Sequence, residues 1–417
     1  MKLEKIDTLS MNDPIALSLD KCTIVAPSFP AWAYAISVHG ACCVLGGIPC
    51  GILLYYVLKK NVGGQETNSE NSNNLRRSFV GVFVGIAAAS SIYVGRPVIE
   101  SYSPNSEITF IGPVFASTFG FTTFFKSLNV AFGTYPDGAD SDLQTWLLWF
   151  VMTPEPTFAK GKLSKANRKK VVEKIRDFLF KIIVLFVLLT VLMQRPPPYF
   201  QVMTERSSSS DCNGLFNWFF SIHVNGFFHL WLLYSYFSFC LDTSTILNYV
   251  ASGGVRMEPA FCNPLLGSRS FKETWGTRWN MPVNMLLKRT IYIPARKSGL
   301  NQKFSAVLTF FASGLLHEYN FSIHNNHSLS LPTGYRPGEV TIFFLLMGVL
   351  MVAEPWVWSR IFPRWLQTAI DHLPSMVTAT MLTFMVAGLA ERYFLRGWFQ
   401  SGFVEAVAQM LPYLNCS

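Results

Sequence analysis

Residues 304–321 read FSAVLTFFASGLLHEYNF, an apolar run that contains one imidazole, His317. A membrane helix needs roughly 20 mainly apolar residues to cross a hydrocarbon core of about 30 Å, so this run approaches spanning length. Ser313 and Gly314 precede His317 by four and three residues and therefore lie on the same helical face. Two small residues beside an imidazole leave room for a substrate. They equally suit close packing against another helix, and the run alone does not decide between these two interpretations.

Similar apolar runs recur along the whole chain of 417 residues. Charged residues make up 14% of the sequence and apolar residues 50%, whereas ordinary globular domains have about 25% charged residues. This composition argues against a soluble chain and excludes a disordered or collagen-like one, and eight cysteines are too dilute for a disulfide scaffold. The predicted fold class is an all-α polytopic membrane protein with about eight transmembrane helices. The expected spans are 33–58, 79–95, 108–126, 178–194, 226–250, 304–321, 340–360 and 376–394. Between them, Trp146 and Trp149 in the short run 143–152 predict a helix lying in the membrane interface.

Lysine and arginine cluster in three connecting segments, 59–78, 153–177 and 252–303. Alternation through eight spans puts all three segments on one side, which is the cytosolic side by the positive-inside rule. Both ends of the chain, including an N-terminal tail over 1–32, then face the lumen or the exterior. Three Asn-x-Ser sequons fall on that side or at its edge, although so short a pattern is weak support. They begin at Asn320, Asn326 and Asn415.

Three acidic residues lie within or near the spans: Asp242, Glu354 and Glu391. Each either lines a polar path or pairs with another group, and pairing with the adjacent Arg392 is favoured for Glu391. The sequence lacks a zinc-protease HExxH motif, because Phe321 stands where the second histidine is needed. His324 and His327 form a pair without further ligands nearby, so no metal is expected there.

A second stretch whose residues could bind a substrate or take part in catalysis lies in the long basic segment 252–303. It reads SFKETWGTRWN over 270–280 and LLKRTIYIP over 286–294. Trp275 and Trp279 are four residues apart and would stack on a short helix. The basic residues around them attract phosphates, of which coenzyme A carries several. They equally serve as lipid-facing cations that anchor the segment in the interface.

Together the two stretches resemble the membrane-bound O-acyltransferase (MBOAT) superfamily, and most closely its wax-synthase-like branch. The resemblance rests on a Trp-Gly-x-Arg-Trp-Asn motif at 275–280, a Lys-Arg-x-x-Tyr-x-Pro motif at 288–294 and a Ser-Gly-x-x-His-Glu motif at 313–318. The order and spacing of these motifs match the family. They cover the region 270–321, about an eighth of the chain, and the remainder agrees only in being polytopic.

The resemblance implies one integral membrane acyltransferase domain over 1–417, with an MBOAT-like fold and an internal acyl-transfer chamber. Residues 252–303 would form a basic cytosolic motif loop, and 304–321 would form the helix of the catalytic histidine. His317 matches the catalytic histidine of the family, and Asn280 matches its second signature position. The expected substrate-binding residues are Trp275, Arg278 and Trp279 of the motif, with Ser313 and Gly314 on the face of His317.

The implied reaction needs no metal or cofactor. Acyl-CoA would enter as co-substrate from the cytosolic side, a hydroxylated lipid would arrive through the bilayer, and His317 would act as general base. The leading hypothesis is an O-acyltransferase that converts a long-chain fatty alcohol to a wax ester, or diacylglycerol to triacylglycerol. One alternative is an acetyl-CoA-dependent O-acetyltransferase for a hydrophobic secondary metabolite. An alternative of another class is a transporter, with the three acidic residues along its path.

The expected location is the endoplasmic reticulum, as a multi-pass membrane protein in contact with membrane lipid. No nucleic-acid partner is expected, and homo-oligomerisation is left open. The identity of the acceptor alcohol and the length of the acyl chain do not follow from the sequence.

Overall fold

The computed structural model describes residues 22–60, 70–103, 111–193, 212–325, 336–400 and 402–416, and within these ranges the chain is predominantly helical. The α-helices are α1 Phe29–Cys42, α2 Ile48–Lys60, α3 Glu70–Ser101, α4 Ile111–Phe132, α5 Leu143–Val151, α6 Arg168–Met193, α7 Cys212–Ala251, α8 Pro264–Gly267, α9 Phe271–Glu273, α10 Met281–Leu287, α11 Ile293–Lys297, α12 Gln302–Asn325, α13 Glu339–Arg360, α14 Arg364–Asp371, α15 Ser375–Ala390, α16 Arg396–Gln400 and α17 Phe403–Met410. Several of these helices continue directly into a π-helical turn. The turns are π1 Cys43–Gly47, π2 Thr274–Arg278, π3 Lys288–Tyr292 and π4 Glu391–Leu395.

Each of the eight predicted spans lies, over its described residues, within continuous helix. Among the described residues, three helical stretches are able to cross a membrane by length and apolar composition: Phe29–Lys59, Asn74–Ser101 and Glu339–Arg360. The pair Arg364–Asp371 and Ser375–Phe399, bent by 117°, forms a fourth such stretch if it is counted as one span. The chain is therefore an integral membrane protein, as predicted, while the number of eight spans stays a prediction.

The first and last strands of the structure pair with each other, which the sequence did not predict. Strand β1 (Cys22–Val25) runs antiparallel to β4 (Tyr413–Cys416), with Cys22 opposite Cys416 in the register. Cys22 is disulfide-bonded. The predicted tail over 1–32 thus contains a strand and the start of α1, and its residues 1–21 lie outside the described ranges. Pairing of β1 with β4 puts both ends of the described chain on the same side.

Helix α5 coincides with the predicted interfacial helix, but its tryptophans do not face lipid. Trp146 and Trp149 are both fully buried. The Trp146 indole N–H donates to the carbonyl oxygen of Gly51 at 2.7 Å, so its polar atom needs no contact with the membrane interface. Lys126, buried on α4, donates to the carbonyl oxygens of Trp149 and Met152 at 2.6 and 2.7 Å. These carbonyls lie at the C-terminal end of α5, where the helix dipole favours a cation.

The three predicted sequons have different surroundings. Asn320 is buried on α12 and offers no room for a glycan. Asn415 is exposed on β4, and Asn326 lies outside the described residues, as does His327 of the histidine pair.

The basic segment 252–303 is folded rather than an open loop. It is built from four short α-helices, α8 to α11, with the turns π2 and π3 between them. Its start forms isolated β-bridges with the earlier chain, Val255 with Lys165 and Met257 with Pro156. A small antiparallel pair, β2 (Phe158–Ala159) with β3 (Lys162–Leu163), lies earlier in the chain. The folded segment packs against α12 and α13, and the candidate site lies between them.

Candidate functional site

Helices α12 and α13 are held together at a close contact beside His317. A Cβ atom added at Gly314 would lie 2.6 Å from the Cα atom of Thr341, so only glycine permits this approach. Next to it, the Glu318 carboxylate accepts hydrogen bonds from the backbone N–H groups of Gly338 and Thr341, at 3.0 and 3.1 Å. A carboxylate at a helix N-terminus satisfies free N–H groups and is favoured by the helix dipole. The helix that carries His317 is thereby fixed against the start of α13.

The imidazole of His317 has one defined orientation. Its Nδ1 lies 2.7 Å from the carbonyl oxygen of Ser313, one turn earlier. A carbonyl oxygen only accepts, so Nδ1 carries the hydrogen and Nε2 of the neutral ring keeps its lone pair. The ring stacks on Phe344 with centroids 4.3 Å apart and meets the edge of Phe394 at 5.4 Å. These contacts fix both the ring and the nitrogen that is able to act as a base.

The motif segment, residues 270–294, begins with a capped helix. The Ser270 hydroxyl accepts from the backbone N–H of Glu273 at 3.0 Å, and the Glu354 carboxylate of α13 accepts from the N–H groups of Phe271 and Lys272 at 2.8 and 3.1 Å. These three contacts satisfy the first N–H groups of the helix.

After this start the segment continues into π2, which presents its two tryptophans. The ring centroids of Trp275 and Trp279 lie 5.6 Å apart with an interplanar angle of 57°, so the two rings make a tilted contact instead of the predicted stack. It forms on a π-helical turn instead of the expected α-helix. Asn284 of α10 fixes the turn, because its side-chain amide donates to the carbonyl oxygen of Trp275 at 2.5 Å.

Asn280 follows the turn in a left-handed backbone conformation, with φ of 39° and ψ of 62°. Asparagine tolerates this region better than most residues. Its backbone carbonyl accepts from Asn284 N–H at 3.0 Å and begins α10. The Asn280 side-chain amide has no hydrogen-bond partner in the described part of the chain, so its donor is available to a ligand.

A cavity of about 600 Å³ lies between the motif segment, α12 and α13. Five predicted site residues line it: Trp275, Trp279, Asn280, Ser313 and His317. On α12 the lining residues follow one face from Gln302 to His317. At about 1.5 Å per residue, this face is roughly 22 Å long. The cavity volume lies within the range of about 300–1,000 Å³ that is usual for small-molecule sites.

Two predicted site residues do not line the cavity, Gly314 and Arg278. Gly314 faces Thr341 in the helix contact described above. The Arg278 guanidinium donates to the Glu273 carboxylate at 2.5 and 2.8 Å and to the Cys262 carbonyl at 2.9 Å. Burial raises the pKa of Glu273, but the Arg269 backbone N–H and the Arg278 guanidinium outweigh it and hold that pKa below its ordinary value. Arg278 therefore stabilises the fold of the motif segment through contacts inside the protein.

Several residues that line the cavity or contact His317 were not among the predicted site residues. Lys272 and Lys288 are exposed at the cavity and form no ion pair among the described residues. Arg289, next to Lys288, instead donates to Glu155 at 2.5 Å. The motif contains both kinds of basic residue, and nothing local in the sequence separates them. Phe344 comes from α13, outside the motif, and its contact with His317 had no sequence signal.

All three acidic residues considered for a polar path have partners. Asp242 forms ion pairs with Lys174 and Lys181 of α6, and Glu354 binds the motif backbone. The Glu391 carboxylate accepts from His229 Nδ1–H at 2.8 Å, so its expected pairing with Arg392 is wrong. Adjacent residues of a helix point in different directions, whereas His229 faces Glu391 from another helix. None of the three acids lines the cavity, and within the described ranges no group of three ligands could hold a metal ion.

Residues 149–323 match the model of the membrane-bound O-acyltransferase family. The match includes Asn280, His317 and the whole motif segment. Over these residues the chain is similar to this family. The part of the cavity wall that comes from α13 and π4 lies beyond the matched residues.

Curated relatives of this chain include proteins of Arabidopsis thaliana. "Probable long-chain-alcohol O-fatty-acyltransferase 3" is 31% identical over 163 residues, which cover 37% of this chain and 44% of the relative. The proteins numbered 2 and 9 under the same name are 38% identical over 110 residues and 33% identical over 156 residues. These two matches cover 24% and 33% of this chain and 29% and 43% of the relatives. The chain thus spans less than half the length of these relatives, and the wax-synthase-like resemblance is confirmed.

Proposed function

We propose that this protein is an acyl-CoA-dependent O-acyltransferase that esterifies a long-chain fatty alcohol to a wax ester. The observation that carries the proposal is the single cavity lined by both His317 and Asn280. The names of these relatives indicate the acceptor class, a long-chain alcohol, and the kind of group transferred, a fatty acyl group.

In the proposed reaction His317 acts as general base through Nε2. The acceptor hydroxyl oxygen attacks the thioester carbonyl carbon while Nε2 takes the hydroxyl proton. The tetrahedral intermediate collapses with cleavage of the carbon–sulfur bond, and the imidazolium returns the proton to the departing thiolate. The products are an ester and free coenzyme A thiol, with no net change at His317. General-base help of this kind contributes about 10²–10⁴-fold to a rate.

Asn280 supplies the complementary electrostatic stabilisation. Its side-chain amide has no partner among the described residues and borders the same cavity as His317. The amide N–H donates to the oxygen that becomes negatively charged when the thioester carbonyl is attacked. One such donor in a water-excluded site is worth about 10²–10³-fold in kcat.

The rim of the cavity suits a donor that carries phosphates. Lys272 and Lys288 are exposed there, on the segment predicted to face the cytosol. The face of α12 from Gln302 to His317 leads roughly 22 Å inward, a path for an extended pantetheine arm. Deeper in, Phe310, Phe344 and Phe394 form an apolar wall that accepts an acyl chain and excludes water.

Ester formation by membranes that contain the protein tests this proposal. Labelled palmitoyl-CoA with hexadecanol should give labelled wax ester, with diacylglycerol as acceptor and acetyl-CoA as donor in parallel reactions. His317→Ala should reduce the rate by at least about 10²-fold. His372→Ala is the matched control, because His372 makes the same ring contact to a carbonyl one turn earlier (2.7 Å to Thr368) but is exposed outside the cavity.

The parallel reactions separate the finer alternatives. Triacylglycerol as the sole product would show that the acceptor is diacylglycerol and not a fatty alcohol. Exclusive use of acetyl-CoA would show that the donor carries an acetyl group and not a fatty acyl group. Undiminished ester formation by a folded His317→Ala variant would refute the catalytic role of this histidine.

A further inference from the structure

Glu354 joins the motif segment to the helix that stacks against His317. It lies on α13 and is half-buried. Its two carboxylate oxygens accept separately from the backbone N–H groups of Phe271 and Lys272, at 2.8 and 3.1 Å. These are the first N–H groups of α9, which have no partner within their own helix. One side chain of α13 thus holds the start of the segment that leads to Asn280.

The same helix contributes to the other side of the cavity. Phe344 stacks on the His317 ring, and Met351 lines the cavity seven residues further along α13. Glu354 follows Met351 by three residues and therefore lies on a neighbouring part of the same face. Through Phe344 and Glu354, α13 contacts both the base and the segment that carries the oxyanion donor.

The motif segment is internally rigid between Glu354 and Asn280. Arg278 is bonded to Glu273 and to the Cys262 carbonyl, and Asn284 is bonded to the Trp275 carbonyl. A displacement at the start of the segment is therefore transmitted to Asn280 rather than absorbed along the way. Misplacement of a reacting group by about 1 Å can cost about 10²-fold in rate.

We propose that Glu354 is a positioning residue that sets the distance between Asn280 and His317. The inference rests on the proposed acyl transfer and concerns how its two groups are aligned. Glu354 touches neither substrate, since it does not line the cavity. Its role is to keep the motif backbone at a fixed place on α13.

A double-mutant cycle between Glu354 and Asn280 tests the proposal. Glu354→Gln keeps one oxygen acceptor but replaces the other oxygen with an NH2 group, which would face a backbone N–H group. The motif segment should therefore shift, and kcat should fall by about 10²-fold. In the Asn280→Ala background the same change should cost less than about 3-fold, because the group that Glu354 positions is already gone. Ser359→Ala is the control, since Ser359 is exposed on the same helix and bonds only to its own turn.

An equal fold-loss of kcat from Glu354→Gln in the wild type and in Asn280→Ala would assign Glu354 a general structural role and overturn the proposal. A kcat of Glu354→Gln within about 2-fold of the wild type would also overturn it. If Glu354→Gln elutes as aggregate in detergent, Glu354→Asp, which keeps both acceptors on a shorter arm, takes its place in the cycle. Aggregation of both variants also counts against a positioning role. If Asn280→Ala has no measurable rate, Asn280→Gln replaces it.

The wild-type control separates this inference from the proposed function. An inactive wild-type protein refutes acyl transfer itself. An active wild type with a His317-dependent rate and an additive cycle refutes only the positioning role.

Discussion

Basic residues of the motif segment divide into two groups at the level of single side chains. Arg278 and Arg289 are bound to Glu273 and Glu155 inside the protein. Lys272 and Lys288 are exposed at the cavity and have no such acidic partner among the described residues. The arginine fork suits a fixed geometry with a carboxylate, whereas the lysine ammonium is a flexible point charge. The lysines are therefore the cations available to a phosphate.

Lys272→Ala and Lys288→Ala should each raise KM for acyl-CoA about 5-fold and leave kcat within about 2-fold. An exposed charge contact contributes roughly 1 kcal/mol, and the chemical step does not involve it. Steady-state rates at varied acyl-CoA concentration measure the effect, which should shrink at high salt because exposed charges are screened. Lys297→Ala, an exposed lysine that does not line the cavity, should leave KM unchanged. Equal KM values for all three variants would contradict this assignment.

At the level of residues, the sequence predicted which side chains lie together better than it predicted the direction of each side chain. His317 and Asn280 border one cavity although 37 positions separate them, because motif order and spacing carry that information. The inward bracing of Arg278 depends on Glu273 and on the Cys262 carbonyl. A motif match does not reveal such partners, since it records residue types and not the contacts that use them.

Helix pairs in this protein meet at glycines beside a polar contact. At the α12–α13 contact, Gly314 faces Thr341 and Glu318 caps α13. At the α7–α15 contact, a Cβ atom at Gly226 would lie 2.2 Å from the Ala387 carbonyl oxygen. The His229–Glu391 bond lies one turn away from that point. Small residues let membrane helices approach closely, and polar bonds then fix their register.

Gly314→Ala should destabilise the protein, whereas Gly95→Ala should not. The new Cβ would lie 2.6 Å from Thr341 Cα, and such overpacking costs about 1–3 kcal/mol in the free energy of unfolding. Gly95, on α3, has open space around the added Cβ, and alanine favours a helix over glycine by about 0.5–1 kcal/mol. Thermal unfolding in detergent compares the two variants. A shift of the same sign and size in both would refute the close-contact explanation.

Helices were the most predictable elements. The eight apolar runs all fall in helix where they are described, since burial in lipid leaves an apolar segment few other ways to satisfy its backbone. The strands Cys22–Val25 and Tyr413–Cys416 were missed because their pairing depends on distant parts of the chain. The pairing of Glu391 was also misjudged, because it depends on α7 lying against π4.

On the scale of the whole molecule, the β1–β4 pair constrains how the chain crosses the membrane. Two ends that share a sheet lie on one side, which requires an even number of crossings between them. The predicted eight spans satisfy this condition. Cys22 is disulfide-bonded, and disulfides persist in oxidising compartments, so this side is expected to be the lumen. With five of the predicted spans between β1 and the basic motif segment, that segment is expected to face the cytosol, which the positive-inside rule also predicts.

Protease protection in sealed microsomes should show this orientation. An epitope inserted before Cys22 should be protected until detergent is added. An epitope inserted at the exposed turn near Gly299, in the segment 252–303, should be digested without detergent. Digestion of the first epitope in intact vesicles would place the paired ends of the described chain on the cytosolic side and contradict this orientation.

The single free nitrogen of His317 has a consequence for the order of events. Nδ1 is committed to the Ser313 carbonyl, and Phe344 covers one face of the ring. In the proposed reaction, the proton that leaves the alcohol and the proton that reaches the sulfur therefore pass through the same atom. Because the alcohol oxygen attacks the thioester carbon directly in this reaction, alcohol and thioester must occupy the protein together before either product departs, in a ternary complex with no acylated form of the enzyme.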